Sequence, residues 1–290
     1  MREEVAMAGI AIVTDRGCDL SPELQRRYDI TMVPLIVRFG GEVILDDGSL
    51  TGDEFWDRVS SSSSFPETSQ PSAGMFEKAI GPLVEAGFHV LCPLITGRLS
   101  GTCNAAHAAA QSFPSKVTVF DTQSLSLGQG MQVLAAAKAA KQGLSLEAIF
   151  NLLDSMRARS HLFIALDTVE YLRRGGRAGK VMPILDRVVR ALNVKPLLRV
   201  AGGELQVMGA ARSAAKAISR IVREMTALAP IEAFAVTHAR RPDDAARLAS
   251  TLAHELGLPE DAPLIAEAGP TLSAHAGPGV IAAAAVQAVN

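Results

Sequence analysis

The stretch Leu91-Cys92-Pro93-Leu94-Ile95 runs directly into Thr96-Gly97-Arg98-Leu99-Ser100-Gly101-Thr102, and an Ala-rich segment, Asn104 to Ser112, follows. A short apolar run that ends on small polar residues and then becomes helical is the repeating unit of a parallel sheet. The strand is buried on both faces, and the chain turns at its carboxyl end. Such a turn is also a seat for an anion, because unpaired backbone N–H groups and the helix dipole point outward there. The small side chains of this turn allow close approach, and its hydroxyls add donors.

The same unit recurs along the first half. Ile10–Thr14 is a strand ending at Asp15, and Ser21-Pro22-Glu23 is an N-cap followed by Pro at the first helical position. Thr31–Phe39 and Val43–Leu45 read as two strands joined at Gly40-Gly41. Thr51 and Glu54 are spaced as a capping box for a helix through Val59. The serine run Ser60–Ser64 and the aperiodic Phe65–Ser72 read as a loop. A helix over Ala73–Ala86, strands over Phe88–Ile95 and Lys116–Asp121, and helices over Ser126–Lys141 and Ser145–Ala158 complete an α/β unit with a mainly parallel sheet.

After residue 160 the rhythm changes. Strands Leu162–Leu166, Val194–Val200 and Glu204–Met208, the last two flanking Gly202-Gly203, are expected with a helix over Val181–Ala191. Then come a helix over Ala210–Ala229, strand Ile231–Thr237, helix Asp243–Leu256 and strand Pro263–Glu267. A Gly/Ala-rich helix after His275, packing back at the domain interface, is expected to close the chain. The expected organisation is an N-terminal α/β domain over 1–160 and a C-terminal α+β domain over 161–290.

Composition removes several classes of function. With 48% apolar and 20% charged residues and a net charge of −2, the chain reads as globular and carries no basic footprint for nucleic acid. Only 4% of residues are aromatic, too few for base-stacking platforms. Glu3 and Glu4 with Gly9 do not make a signal peptide, and the longest apolar run, Val280 to Val286, is far short of a membrane span of ~20 residues. Cys18, Cys92 and Cys103 are a sparse, odd set that suits a reducing compartment, so a cytoplasmic location without integral membrane insertion is expected.

Catalytic templates do not fit. Gly97-x-x-Ser100-Gly101 misses the nucleophile-elbow spacing by one residue. Gly175-Gly176-Arg177-Ala178-Gly179-Lys180 resembles a phosphate loop but lacks the first Gly at the required offset, and Val181 stands in place of Ser/Thr. The six histidines form no i,i+3 or i,i+4 pair, so no metal site is expected. What remains is four small-polar turns: Glu67–Ser72, Thr96–Thr102, Asp121–Ser124 and His275–Gly279. Each has a plainer explanation. Ser72 and Ser100 suit N-caps, Asp121 a capping carboxylate, and His275 a structural histidine. Arg173, Arg174, Arg177 and Lys180 form a basic cluster, either a solvated face or a docking surface for a partner protein.

The order and spacing of these elements resemble the DegV family. The resemblance rests on Val13-Thr14-Asp15, Cys18-Asp19-Leu20, Val33-Pro34-Leu35, Asp47-Gly48, Thr68-Ser69-Gln70-Pro71-Ser72 and Leu99-Ser100-Gly101-Thr102. Asp121-Thr122, Tyr171-Leu172 with Gly175-Gly176-Arg177, Lys195-Pro196 and His275-x-Gly277-Pro278-Gly279 continue it to about residue 288. It implies a two-domain fold and a bound long-chain fatty acid as ligand, with no cofactor, no metal and no catalytic residue. It also implies that the carboxylate lies near the domain interface, held by Thr68 and Ser69 and by the Thr96–Gly97 step, with Ser100 and His275 beside it. In bacteria with the partner fatty acid kinase, such proteins present the ligand for phosphorylation on its carboxylate, and Arg173 and Arg177 are candidates for docking that kinase. Two positions depart from the pattern: Gly97 stands where a second Ser is usual, and Arg16 where a Ser often follows Thr-Asp. The alternative from the residues themselves is a hydrolase or transferase using Ser100 or Thr68 as nucleophile with His275 as base.

Overall fold

The computed structural model describes residues 9–188 and 194–289. It is a mixed α/β structure with three sheets. The first is fully parallel, in the order β2 (Thr31–Val33), β1 (Ile10–Asp15), β6 (His89–Leu94), β7 (Val117–Asp121). A small antiparallel sheet orders β4 (Glu42–Asp46), β3 (Leu35–Phe39) and β5 (Pro66–Ser69). The third has six strands, ordered β10 (Glu204–Ala211), β9 (Lys195–Ala201), β8 (Ser160–Ala165), β13 (Ile281–Gln287), β11 (Ile231–His238), β12 (Leu264–Glu267). It is antiparallel except for the β11–β12 pair.

The helix Ser126–Lys141 lies between the parallel sheet and the six-stranded one and contacts β1, β6, β8, β11 and β13. It is buried on nearly all sides, so its small residues face both sheets. Gly130 shows why they must be small: a Cβ there would stand 2.5 Å from the backbone oxygen of Cys18. Gln129 Nε2 crosses from this helix to Thr14 Oγ1 and Asp15 Oδ2, at 3.2 and 3.1 Å.

Three expectations are corrected. The apolar run Thr31–Phe39 is two strands, because Pro34 has no N–H for a ladder; β2 pairs with β1, whereas β3 belongs to the antiparallel sheet. The Ser60–Ser72 stretch is not all loop: Ser60 and Ser61 finish the helix Gly52–Ser61, and Pro66–Ser69 is β5. Its pairing is supplied by the free edge of β3, a distant partner that local periodicity cannot show.

The largest correction concerns the chain end. Residues Ile281–Gln287 form not a helix but a strand, β13, between β8 and β11. No last helix therefore packs back at an interface. An alanine run buried on both faces has no alternation to distinguish it from a buried helix. The helix lies earlier, at Pro270–Ala276, begun by Pro270 at its first position and ended before Gly277 at φ 78°. Smaller shifts follow: β10 extends to Ala211, so the next helix starts at Ala214, and the helix expected over Val181–Ala191 is seen as Met182–Val188, its remainder lying outside the described residues.

Candidate functional site

One cavity gathers residues from the antiparallel and six-stranded sheets and from the segment that follows β6 of the parallel one. It encloses about 800 Å³ of space unfilled by protein atoms, measured out to its open mouth. Its walls are largely aliphatic: Leu35 from β3, Ile164 from β8, Leu198 from β9 and Leu205 from β10, with Leu166 and Leu172 beside them. Its polar side chains come from β5 (Thr68, Ser69), the following Gln70, the turn after β6 (Ser100), the helix Pro270–Ala276 (Thr271, His275) and Arg177. An apolar slot with a few convergent polar groups has the form of a small-molecule site.

The polar corner is tightly built. Thr68 Oγ1 and His275 Nε2 are 2.6 Å apart. Burial, reinforced by the nearby Arg177 charge, lowers the His275 pKa to about 4, so the ring is neutral at neutral pH. When Nε2–H donates to Thr68 Oγ1, the threonine hydroxyl proton is free to turn into the cavity. Ser69 Oγ and His275 Nδ1 are buried without a protein partner. Arg177 donates to two carbonyl oxygens, those of Gly175 at 3.1 Å and Thr68 at 3.3 Å, and forms no ion pair with any described residue. Ser100 Oγ is 2.7 Å from Thr102 Oγ1 and accepts from the Thr102 N–H at 3.3 Å, but the N-cap of the helix Thr102–Ala110 is Gly101, not Ser100.

Of the six expected carboxylate-binding residues, Thr68, Ser69, Ser100 and His275 line this cavity, and Thr96 and Gly97 do not. Thr96 Oγ1 donates to the Gly203 carbonyl at 2.9 Å, tying the strand-end turn to the β9–β10 hairpin. Gly97 is exposed; its N–H donates to Asp121 Oδ2 at 3.1 Å, and a Cβ there would meet that same oxygen at 3.0 Å rather than the cavity. Arg173 is exposed and paired with Glu170 and Asp186, while Arg177 is part of the cavity wall. Arg16 points elsewhere: its Nε lies 3.8 Å from Asp46 Oδ1.

Residues that sequence reasoning missed hold the His275 helix in place. Asp46 Oδ2 accepts from Thr271 N and Thr271 Oγ1, at 3.0 and 2.6 Å. Asp19 Oδ1 accepts from Gly269 N at 2.9 Å, and its other oxygen from Ser126 Oγ at 2.7 Å. Burial raises Asp19 to about 7 and pushes Asp46 up as well. Two carboxylates from the N-terminal half thus fix the start of a helix whose far end carries His275. The sequence signal was Gly269-Pro270-Thr271, a helix start hidden by the expectation of a later helix. Gly175 closes the arrangement: a Cβ at this position would lie 2.0 Å from His275 Nδ1.

No helix of the described residues is long and apolar enough to cross a membrane, and no cluster of His, Cys, Asp and Glu among them could hold a metal ion. The family model described as "Uncharacterised protein, DegV family" matches residues 9–288. A DegV domain-containing protein of Deinococcus radiodurans is 34% identical over 283 residues, covering 95% of this chain and 97% of the relative. Among solved structures, a DegV family protein from Thermus thermophilus, studied for its fatty acid binding, superposes with a TM-score of 0.88 at 35% identity, covering 97% of this chain and 100% of the other. DegV of Bacillus subtilis, a fatty acid binding protein, gives 0.84 at 27% identity with the same coverage. Motif order, fold and these relatives agree: the chain belongs to the DegV family.

Proposed function

We propose that this protein binds a long-chain fatty acid in the cavity, its chain along the leucine-rich walls and its carboxylate at the Thr68–Ser69–Ser100–His275 corner. The observation that carries the reading is the pairing of an aliphatic slot with a corner holding unpartnered buried polar atoms. Each methylene withdrawn from water contributes about 0.8 kcal/mol, so about fifteen would give roughly 12 kcal/mol before ordering costs are subtracted. A buried carboxylate needs donors or a counter-charge, and Thr68, Ser69 and Arg177 offer both. Fatty acid binding by the Thermus and Bacillus relatives supports the assignment.

The ligand would lie where an N-terminal unit over 1–160 meets a C-terminal unit over 161–290, with Thr96 shaping the turn rather than touching the carboxylate. The protein would act without catalysing a reaction itself, in the cytoplasm, presenting the carboxylate to a fatty acid kinase. Denaturing mass spectrometry of the purified protein is the test: a co-purified or readily taken up fatty acid is expected, and neither being seen refutes the reading. For the kinase step, acyl phosphate should form only when nucleoside triphosphate, kinase and loaded protein are together.

One observation favours an enzyme instead, the 2.6 Å contact of Thr68 with His275. Its chemistry is weak. His275 Nδ1 has no carboxylate to orient the ring, and an imidazole titrating at about 4 is a poor base at neutral pH. Turnover of acyl esters that disappears in Thr68→Val would reinstate the enzyme reading.

A further inference from the structure

The ends of β1 and β4 carry charges that meet. Arg16, the residue after β1, reaches across to Asp46, the last residue of β4, with its Nε 3.8 Å from Asp46 Oδ1. Both atoms are buried and have no hydrogen-bond partner among the described residues. The Arg16 side chain is 13% exposed and that of Asp46 2%. The guanidinium lies against Gly48, where a Cβ would stand 3.3 Å from a terminal nitrogen and 3.5 Å from Cζ. A buried ion pair of this kind is a poor source of stability but a strong constraint, because removing one partner strands the other.

Asp46 is not alone. Gly269 sits between it and Asp19: a Cβ at Gly269 would lie 3.4 Å from Asp19 Oδ1 and 3.6 Å from Asp46 Oδ2. Burial raises both carboxyl pKa values, the Asp46 charge raises Asp19 further, and Arg16 is the cation that lowers both. Around the pair stand Asp47, which raises Asp46, the Cys18 thiol, and the Ser126 and Thr237 hydroxyls, 2.8 Å from each other. Asp15 is turned to the N–H groups of Gly17 and Ile95 and to Gln129, and Glu267 accepts from the Arg240 N–H at 3.3 Å. Thr271, which Asp46 holds, and His275 are four residues apart, one helical turn on the same face, and both line the acyl cavity. Whatever fixes Thr271 therefore fixes where His275 meets Thr68.

We infer that Arg16 is a positioning residue for the acyl cavity: it compensates the Asp19–Asp46 pair across Gly269 and so keeps the helix Pro270–Ala276 registered with His275 against Thr68. It touches neither the cavity nor His275 and acts through Asp46 and Thr271. As a statement about ligand affinity the inference rests on the fatty acid reading; as a statement about the His275 corner it does not. Without the Arg16 charge, protons bind to the two carboxyl groups at higher pH, and Thr271 exchanges a charge-assisted hydrogen bond for a neutral one.

The test follows palmitate affinity against pH in the wild type, Arg16→Gln and Arg16→Lys. The fatty acid titrates alike in all three, so the differences between the profiles report the protein. The pH at which affinity is half lost on acidification should rise by about 1 or more in Arg16→Gln and return toward the wild-type value in Arg16→Lys. A side chain needed only for packing would instead lower affinity equally at every pH. An unchanged midpoint in Arg16→Gln, or an Arg16→Lys midpoint shifted as far as that of Arg16→Gln, overturns the inference. Should Arg16→Gln not fold, Asp46→Asn in the same chain removes the charge that Arg16 compensates and should restore folding; a double variant that also fails to fold overturns it. If the wild type takes up no palmitate, the fatty acid reading fails, and imidazole NMR of His275 still decides this one. Its signals should move in Arg16→Gln and return in Arg16→Lys, and identical spectra refute the coupling.

Discussion

His275 should make this protein's stability depend on pH in a way that one substitution isolates. Its ring is half-buried against Thr68, and desolvation followed by the Arg177 charge lowers its pKa from 6.5 to about 4. On acidification the unfolded chain therefore takes up this proton before the folded one does. The contribution of His275 is complete above about pH 6.5, is lost as pH falls toward about 4, and changes no further below that. At about 1.36 kcal/mol per pH unit, the interval is worth about 3 kcal/mol. Wild-type stability alone will not reveal it. Asp15 and Asp19, raised by burial to about 6 and about 7, bind protons in the folded state over the same range and pull the other way. Denaturant unfolding of wild type and His275→Gln should therefore be measured in parallel from pH 7.5 to 3.5. The wild type should lose about 3 kcal/mol relative to the variant between pH 6.5 and 4, with the curves parallel outside that window. Parallel curves throughout, or an imidazole that titrates near 6.5 by NMR, would refute the buried neutral histidine.

Three further outcomes are expected. Thr68→Val removes the hydroxyl between His275 and the cavity; fatty acid affinity should drop about tenfold to a hundredfold, the worth of one hydrogen bond to a charged group, measured by competition with a fluorescent fatty acid. Gly175→Ala places a methyl 2.0 Å from His275 Nδ1 and 3.1 Å from the Tyr171 carbonyl, so thermal denaturation should show a loss of about 1–3 kcal/mol and mass spectrometry a loss of bound lipid. Leu166→Trp fills part of the acyl cavity; the longest chains should lose about 0.8 kcal/mol for each methylene displaced, while short chains bind as before. Uniform weakening across chain lengths would mean that Leu166 lies near the head rather than the tail.

Local chemistry made much of this molecule legible. The Thr51–Glu54 capping box, Ser21 as an N-cap, and the strand-to-turn unit at Leu91–Thr102 follow from hydrogen-bonding needs within a few residues. Those needs are the same in any fold. The small-polar turns were legible for the same reason, whereas the roles expected of Thr68, Ser69, Ser100 and His275 within them came from the resemblance to the DegV family. What escaped were features whose cause lies far away in the chain. Pro66–Ser69 is a strand because β3 offers an edge, and Ile281–Gln287 is a strand because β8 and β11 bury both of its faces.

The site shows the same division. Sequence by itself determined that strand ends rich in Thr, Ser and Gly would supply donors to an anion, since that follows from residue type and turn chemistry. Only the tertiary structure decided which of them face the cavity. Thr96 and Gly97 sit in the most anion-like turn of the sequence, yet Gly203 and Asp121 already occupy their donors. The helix that carries His275 is seated by Asp19 and Asp46, more than two hundred residues before it. A polar group serves a ligand when the fold leaves it without another partner, and that is settled by distances across the whole chain.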